Sequence, residues 1–416
     1  MGIIHRKLPG SPSIYPTWSA SAHSATLGMP AIAPEFSKLS PEIPFNRIAI
    51  AGQEMEYMAE AVRNGHCCGD GPFTKKCQQL LERELLVRSA LLTTSCTHAL
   101  EMAAILLDIQ PGDEVIVPSY TFVSSINAFV LRGARPVFAD IRPDTLNIDE
   151  SQLAGLITPR TRAIVVVHYA GVACEMDVIM KIAGSHRIPV VEDNAHGLFG
   201  TYKGRPLGSI GALATLSFHE TKNYTCGEGG ALLINDPQYL SRAEILREKG
   251  TDRSRFIRGE VDKYTWRDVG SSYVLSDMSA GFLFGQLEHF REIRRNRERI
   301  WENYWWDLQD WAMKHNVGLP QIPPQCGQAF HLFYLIMPSL EQRQDFIAHL
   351  RTSGIKSVFH YLPLHLSPMG EKLGGVPGSC PVAERVSDCL VRLPFFNAFS
   401  EADQARVIRE TTRFTG

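Results

Sequence analysis

LATLSFHETKNYTCGEGGALLI (residues 213–234) is the stretch from which the rest of the chain can be read. Its first apolar run, Leu213–Phe218, has the length and composition of a buried strand. The run stops at a polar turn carrying Lys222, passes Gly227, Gly229 and Gly230, and enters a second apolar run, Ala231–Ile234. A lysine amine at the end of a buried strand is partly desolvated, which lowers its pKa and favours condensation with an aldehyde cofactor. The three glycines let the backbone bend closely around a bulky ligand. A surface lysine beside a flexible turn gives the same local pattern, so the stretch decides nothing alone.

Three other stretches join it. Pro189–Glu192 reads as a strand with the Asp193 carboxylate where it ends, followed by Asn194, Ala195 and His196. Open α/β sheets bind ligands at that edge, and a carboxylate there can keep a pyridine nitrogen protonated. Capping of the next helix is an equally good use of Asp193, and His196 can be an ordinary satisfied histidine. Thr94-Ser95-Cys96-Thr97 lies between a short apolar run, Ala90-Leu91-Leu92, and the apolar-periodic segment Ala99–Leu107. Hydroxyls and free N–H groups at a helix start suit a phosphate, with Ser217 as a further hydroxyl, although capping is the commoner use. Phe122 follows the strand Glu114–Val117 and can stack on a heteroaromatic ring or pack in the core. In chain order these supply a phosphate cradle, a stacking ring, a carboxylate and an amine.

Outward from these motifs, apolar runs alternate with helical segments (Ala163–Val167 is a further strand), which implies crossovers and a mainly parallel sheet. Residues 1–42, rich in Ser, Pro and Ala, show no periodicity and read as a flexible extension. A large domain spans 43–280. A connecting helix, expected as one piece over Ser279–Trp311, opens a smaller α/β unit over 281–416. In it Leu332–Met337 and Val358–Leu362 are strands, and Ser339 and Ser400 cap helices. The fold class is α/β.

Composition excludes several functions. The chain has 416 residues, 44% apolar and 21% charged, with a formal net charge of −2. Nothing global points to nucleic acid or an anionic membrane, so any anion must be held by a local site. No run of about 18 apolar residues and no secretory leader is present, which leads us to expect a cytoplasmic enzyme. Nine cysteines without finger-like spacing argue for free thiols and no metal site.

The order of motifs resembles the DegT/StrS family of sugar-nucleotide aminotransferases, from Ile43 to near the C-terminus. CGDGPFT (68–74), LDIQPGDEVIVPSYTFVS (107–124), VHYAGVACEMD (167–177), SFHETKNYT (217–225) and VDKYTWRDVGSSY (261–273) carry the likeness most closely. The resemblance implies an aspartate-aminotransferase-like (type I) fold and pyridoxal 5'-phosphate as cofactor. Lys222 then matches the cofactor lysine and proton shuttle, Asp193 the partner of the pyridine nitrogen, and His196 the neighbour of the phenolic oxygen. Ser95, Cys96, Thr97 and Ser217 match phosphate positions, and Phe122 the stacking ring. It also implies a homodimer with shared active sites. Members usually have Ala at Asn194, and many have Asn at Val274 reaching the partner's phosphate; Ser271 or Ser272 is the substitute expected here.

The implied reaction is ping-pong. Glutamate gives up its amino group and leaves as 2-oxoglutarate, and the 4-keto group of a dTDP-6-deoxyhexose then receives the nitrogen. The product is a dTDP-4-amino-4,6-dideoxyhexose, of galactose configuration by the resemblance. For the sugar nucleotide, the basic aromatic segment with Arg253, Arg258 and Tyr264 is one candidate, with a solvated loop as the even alternative; His331, His360 and Tyr361 are others. Two rivals are weighed. A dehydratase of the same fold, working with pyridoxamine phosphate, has His in place of the lysine. A non-catalytic regulatory protein has no need to keep Lys222, Asp193 and the phosphate cradle together.

Overall fold

The computed structural model describes residues 42–415, so the segment 1–42 read as an extension lies, but for its last residue, outside them. The apolar runs form a seven-stranded sheet: β1 (Ser89–Thr93), β2 (Glu114–Pro118), β3 (Arg135–Ala139), β4 (Thr161–Val167), β5 (Val190–Asp193), β6 (Leu213–Ser217) and β7 (Gly230–Ile234). Their order across the sheet is β1-β7-β6-β5-β4-β2-β3. Strands β2 to β6 run parallel to one another. β7 runs antiparallel between β1 and β6. The sheet is mixed and mostly parallel, the type I architecture expected.

Burial explains why these runs are strands. All five residues of β2 and all five of β7 are buried, the pattern of strands covered on both faces. Helix α1 (Cys96–Leu106) packs on the sheet through Ala99, Ala103 and Ala104, small side chains that allow a close approach. Gly230 is required for the same reason, since a Cβ there would lie 2.4 Å from the amide nitrogen of Cys96. This glycine therefore seats α1 against β7, whereas the sequence reading gave it to a ligand.

One expectation is corrected. The helix read as continuous from Ser279 to Trp311 is two, α2 (Asp277–Glu288) and α3 (Phe290–Lys314), broken at His289. Both keep apolar positions in phase, so one non-helical residue leaves no mark on the periodicity. A second sheet, β8 (Tyr334–Ile336), β9 (Val358–Phe359) and β10 (Leu390–Arg392), is antiparallel with β10 central. It packs with Trp301, Tyr304, Leu308 and Phe346 in one hydrophobic cluster. Ser339 and Ser400 cap their helices, accepting from Gln342 N at 3.2 Å and Asp403 N at 3.0 Å. Among the described residues no helix is long and apolar enough to cross a membrane.

Candidate active site

The carboxyl ends of β1, β2, β4, β5 and β6 open on one cavity of about 640 Å³. Ser95, Cys96 and Thr97 follow β1, Phe122 follows β2, Asp193 ends β5, Ser217 ends β6, and Lys222 lies in the turn beyond; all line the cavity, as does His196. The structure thus brings together every residue that the sequence proposed for the cofactor. From the second sheet and its flanks come His331, His360, Tyr361 and Arg392.

Asp193 is held from two sides. Ser125 Oγ donates to its Oδ2 at 2.7 Å, and the Ala195 amide donates to Oδ1 at 3.2 Å. Ser125 Oγ, in the first turn of the helix Ser124–Val130, in turn lies 2.8 Å from Thr121 Oγ1 in the loop after β2, so the segment following β2 fixes the carboxylate at the end of β5. Burial pushes the Asp193 carboxyl up, opposed by these bonds and by the charge of Lys222. Beneath it, Glu192 is wholly buried and accepts from His168 Nε2 at 2.9 Å and from the amides of Gly208, Ile210 and Gly211. Burial alone would raise Glu192, but these donors bring it below the ordinary range.

Lys222 is the amine facing that carboxylate. Burial pushes it down to about 8, against the pull of Cys96 and Asp193. Part of its population is therefore neutral near physiological pH, a condition for attack on a carbonyl. His196 stacks on His331 with ring centroids 4.1 Å apart. Burial holds His196, His331 and His360 all well below the usual histidine range, hence neutral. Asn223 Nδ2 donates to Ala329 O, which turns its Oδ1 to His331 Nδ1 at 2.8 Å. His331 therefore carries its proton on Nδ1 and leaves Nε2 bare.

Pyridoxal phosphate fits these residues. Ser95 caps α1 through His98 N at 3.1 Å, and Thr97 Oγ1 meets Ser124 Oγ at 2.8 Å, which places hydroxyls and helix-start amides at the cavity wall. Phe122 is 56% exposed although it lines a cavity, a costly placement for an apolar ring with nothing to cover it. The His196 Nδ1 is buried without a hydrogen-bond partner among the described residues. A planar heteroaromatic phosphate answers these features together.

Arg253, Arg258 and Tyr264 lie apart from this chain's cavity. Arg253 pairs with Glu248 at 3.1 Å, and Arg258 pairs with Glu244 and Glu260 at 2.9 and 2.6 Å. Tyr264 packs against Phe256 and stays half exposed. Val274 is taken up within its own chain: it bridges Thr93 and fills the space that a side chain at Gly69 would need. Asn194 donates to Leu207 O at 2.9 Å, a structural bond that Ala would lack. Sequence reasoning missed Thr121, Ser125, His219, Glu228 and Arg392 at the cavity. Of these only Arg392, a cation inside the apolar run LVRLPFF (390–396), carried a signal.

The fold and this pocket define an aminotransferase of the pyridoxal-phosphate type. The chain belongs to the DegT/DnrJ/EryC1/StrS aminotransferase family, whose model matches residues 49–412. It is 33% identical over 374 residues to a GDP-perosamine synthase of Caulobacter vibrioides, covering 87% of this chain and 96% of that one. Among solved structures it is similar to DesV of S. venezuelae, with 29% identity and a TM-score of 0.82 over 91% of this chain and all of the other. A Streptococcus pneumoniae protein described as a sugar aminotransferase and solved in its PLP form is similar too, with 27% identity, a TM-score of 0.82 and coverage of 89% and 98%.

Proposed function

We propose that the enzyme transfers the amino group of glutamate to the 4-keto carbon of a dTDP-6-deoxyhexose, giving dTDP-4-amino-4,6-dideoxygalactose. The observation that carries the amino-transfer reading is Lys222 facing the buried, tethered Asp193 in one cavity. The choice of sugar rests on the stretches at 68–74, 107–124, 167–177, 217–225 and 261–273. These resemble the transaminase that makes this sugar for enterobacterial common antigen, a surface polysaccharide.

Bound pyridoxal phosphate supplies an aldehyde that accepts nitrogen and a pyridine ring that stabilises carbanionic charge. In our reading the protein does the rest. Asp193 holds the proton on the pyridine nitrogen. The hydroxyls of Ser95, Thr97 and Ser217 and the first amides of α1, with Cys96 among them, bind the phosphate. Phe122 covers one face of the ring, and neutral His196 lies near the phenolic oxygen. Lys222 Nζ anchors the cofactor, takes the proton from the donor Cα, and later delivers a proton to the sugar C4.

We also propose a homodimer with shared sites. Ile257, Tyr264 and Trp266 are 64%, 52% and 78% exposed, a density of apolar surface suited to a second copy. In such a pair Arg253, Arg258 and Tyr264 serve the partner's sugar nucleotide, while His331, His360 and Tyr361 serve their own. The likeness to a GDP-perosamine synthase makes a GDP-linked sugar the second reading. Product analysis with dTDP- and GDP-linked 4-keto-6-deoxyhexoses and glutamate decides between them. Formation of the dTDP-4-amino sugar of galactose configuration supports the proposal; turnover of GDP sugars alone contradicts it.

A further inference from the structure

A second cavity, of about 440 Å³, shares no lining residue with the catalytic one. Arg291, Arg294 and Arg295, from the first turns of α3, form one wall. Phe199, Phe290 and the end of the helix Pro72–Leu85 form the others. The guanidiniums are poorly matched by charge. Among the described residues of the lining Glu84 is the one carboxylate; it pairs with Arg83 at 2.9 Å and meets Arg291 at only 3.4 Å. Arg294 reaches Gln328 O at 3.4 Å, and its Nε is buried without a hydrogen bond among the described residues. Arg295 has no ion pair among them and stays exposed.

The first turn of a helix favours acidic side chains, because the backbone dipole is positive there. α3 carries Glu292 in that turn but sets three arginines around it, so charge of one sign gathers where the dipole already adds to it. A bound anion removes that cost. The lining decides which anion. Three cations against one shared carboxylate leave an excess of two positive charges, the charge of a diphosphate bridge in a nucleotide. Arg294 and Arg295 stand three and four residues after Arg291, so both flank it on one helix face at about 5–6 Å. Two linked phosphates cover that span, and a single carboxylate does not. Guanidinium forks match phosphate oxygens in pairs. The opposite wall is apolar: Phe199 takes a left-handed φ of 65° and its ring stacks on Phe290 with centroids 4.3 Å apart. Such a wall lowers the local dielectric and strengthens the attraction.

We propose that this cavity is a second anion site that takes a diphosphate group, free or carried by a nucleotide. The proposal is independent of the amino-transfer reading, because no residue of this cavity lines the catalytic one.

The test is protection read residue by residue. The holoenzyme is treated with phenylglyoxal in inorganic diphosphate, or in sodium chloride at the same ionic strength, and its arginines are mapped by mass spectrometry. Relative to chloride, diphosphate is expected to slow modification of Arg291 and Arg295 about tenfold. Arg351, exposed on the small domain, is expected to react equally in both. A dTDP arm separates the sources: protection at lower concentration than inorganic diphosphate supports a nucleotide, and protection by diphosphate alone supports the free ion. Calorimetry gives a second readout. Combining Arg291→Gln with Arg295→Gln should weaken one diphosphate binding step about tenfold; both side chains are exposed, so the fold is retained. No protection of Arg291 and Arg295, equal protection of Arg351, or every binding step unchanged in the double variant overturns the proposal. Neither readout requires turnover, so failure of the sugar assay leaves both in force.

Discussion

Ser125 Oγ donates to Asp193 Oδ2 at 2.7 Å, joining the first turn of the helix Ser124–Val130 to the end of β5 through one buried hydrogen bond. That bond aims the carboxylate, and our account divides the two roles accordingly. Asp193→Asn should retain cofactor but lose turnover by about a hundredfold or more, because a neutral amide cannot hold the pyridine nitrogen protonated. Ser125→Ala should cost less, about tenfold, through misorientation alone. Single-turnover kinetics check both; near-normal turnover in the Asn variant would reduce Asp193 to a helix cap.

Lys222 carries a pH signature. Burial brings its ammonium down to about 8, so the amine loses its proton as pH rises through that value. The rate at which apoenzyme captures pyridoxal phosphate should climb with pH across a midpoint near 8 and then level. A midpoint near that of an ordinary lysine would show that burial does not act on this amine.

Arg297→Met should destabilise the fold by about 3 kcal/mol, since three acceptors, the buried Phe330 O and His331 O and the part-buried Asn397 Oδ1, lose a charged donor. Two of them, Phe330 O and His331 O, belong to the segment carrying His331. Urea unfolding measures the loss, and a change under about 1 kcal/mol would mean that these carbonyls find other donors.

The shared-site proposal has a complementation test. Ser271 and Ser272 are exposed in this chain and stand beside Tyr273, where a cross-subunit contact is expected. Mixing Lys222→Ala subunits with subunits mutated at both serines should restore part of the activity, because one of the two mixed sites then carries neither defect. Exchange of subunits without recovery rules these serines out.

The sheet was legible because strands covered on both faces carry apolar runs, as Val115–Val117, Ala163–Val167 and Ala231–Ile234 do. β3 (Arg135–Ala139) escaped because Arg and Pro open it and it forms the sheet edge, where Pro136 is tolerated. CGDGPFT (68–74) was read as a family signature, and its physical basis is packing. Asp277 accepts from Phe73 N and Thr74 N, and any side chain at Gly71 would strike that carboxylate. Of the cavity, the residues at strand ends could be read from sequence, since position along the chain gives their place. Ser125 and Thr121 could not, because a lone hydroxyl becomes informative only when its partner from another strand is known.

Reduction of the holoenzyme with borohydride, followed by peptide mass mapping, tests the central claim most directly. The account requires a pyridoxyl adduct on Lys222, in the peptide joining β6 to β7, and its disappearance when glutamate is added before the reductant. An adduct on another lysine, or on none, would contradict it.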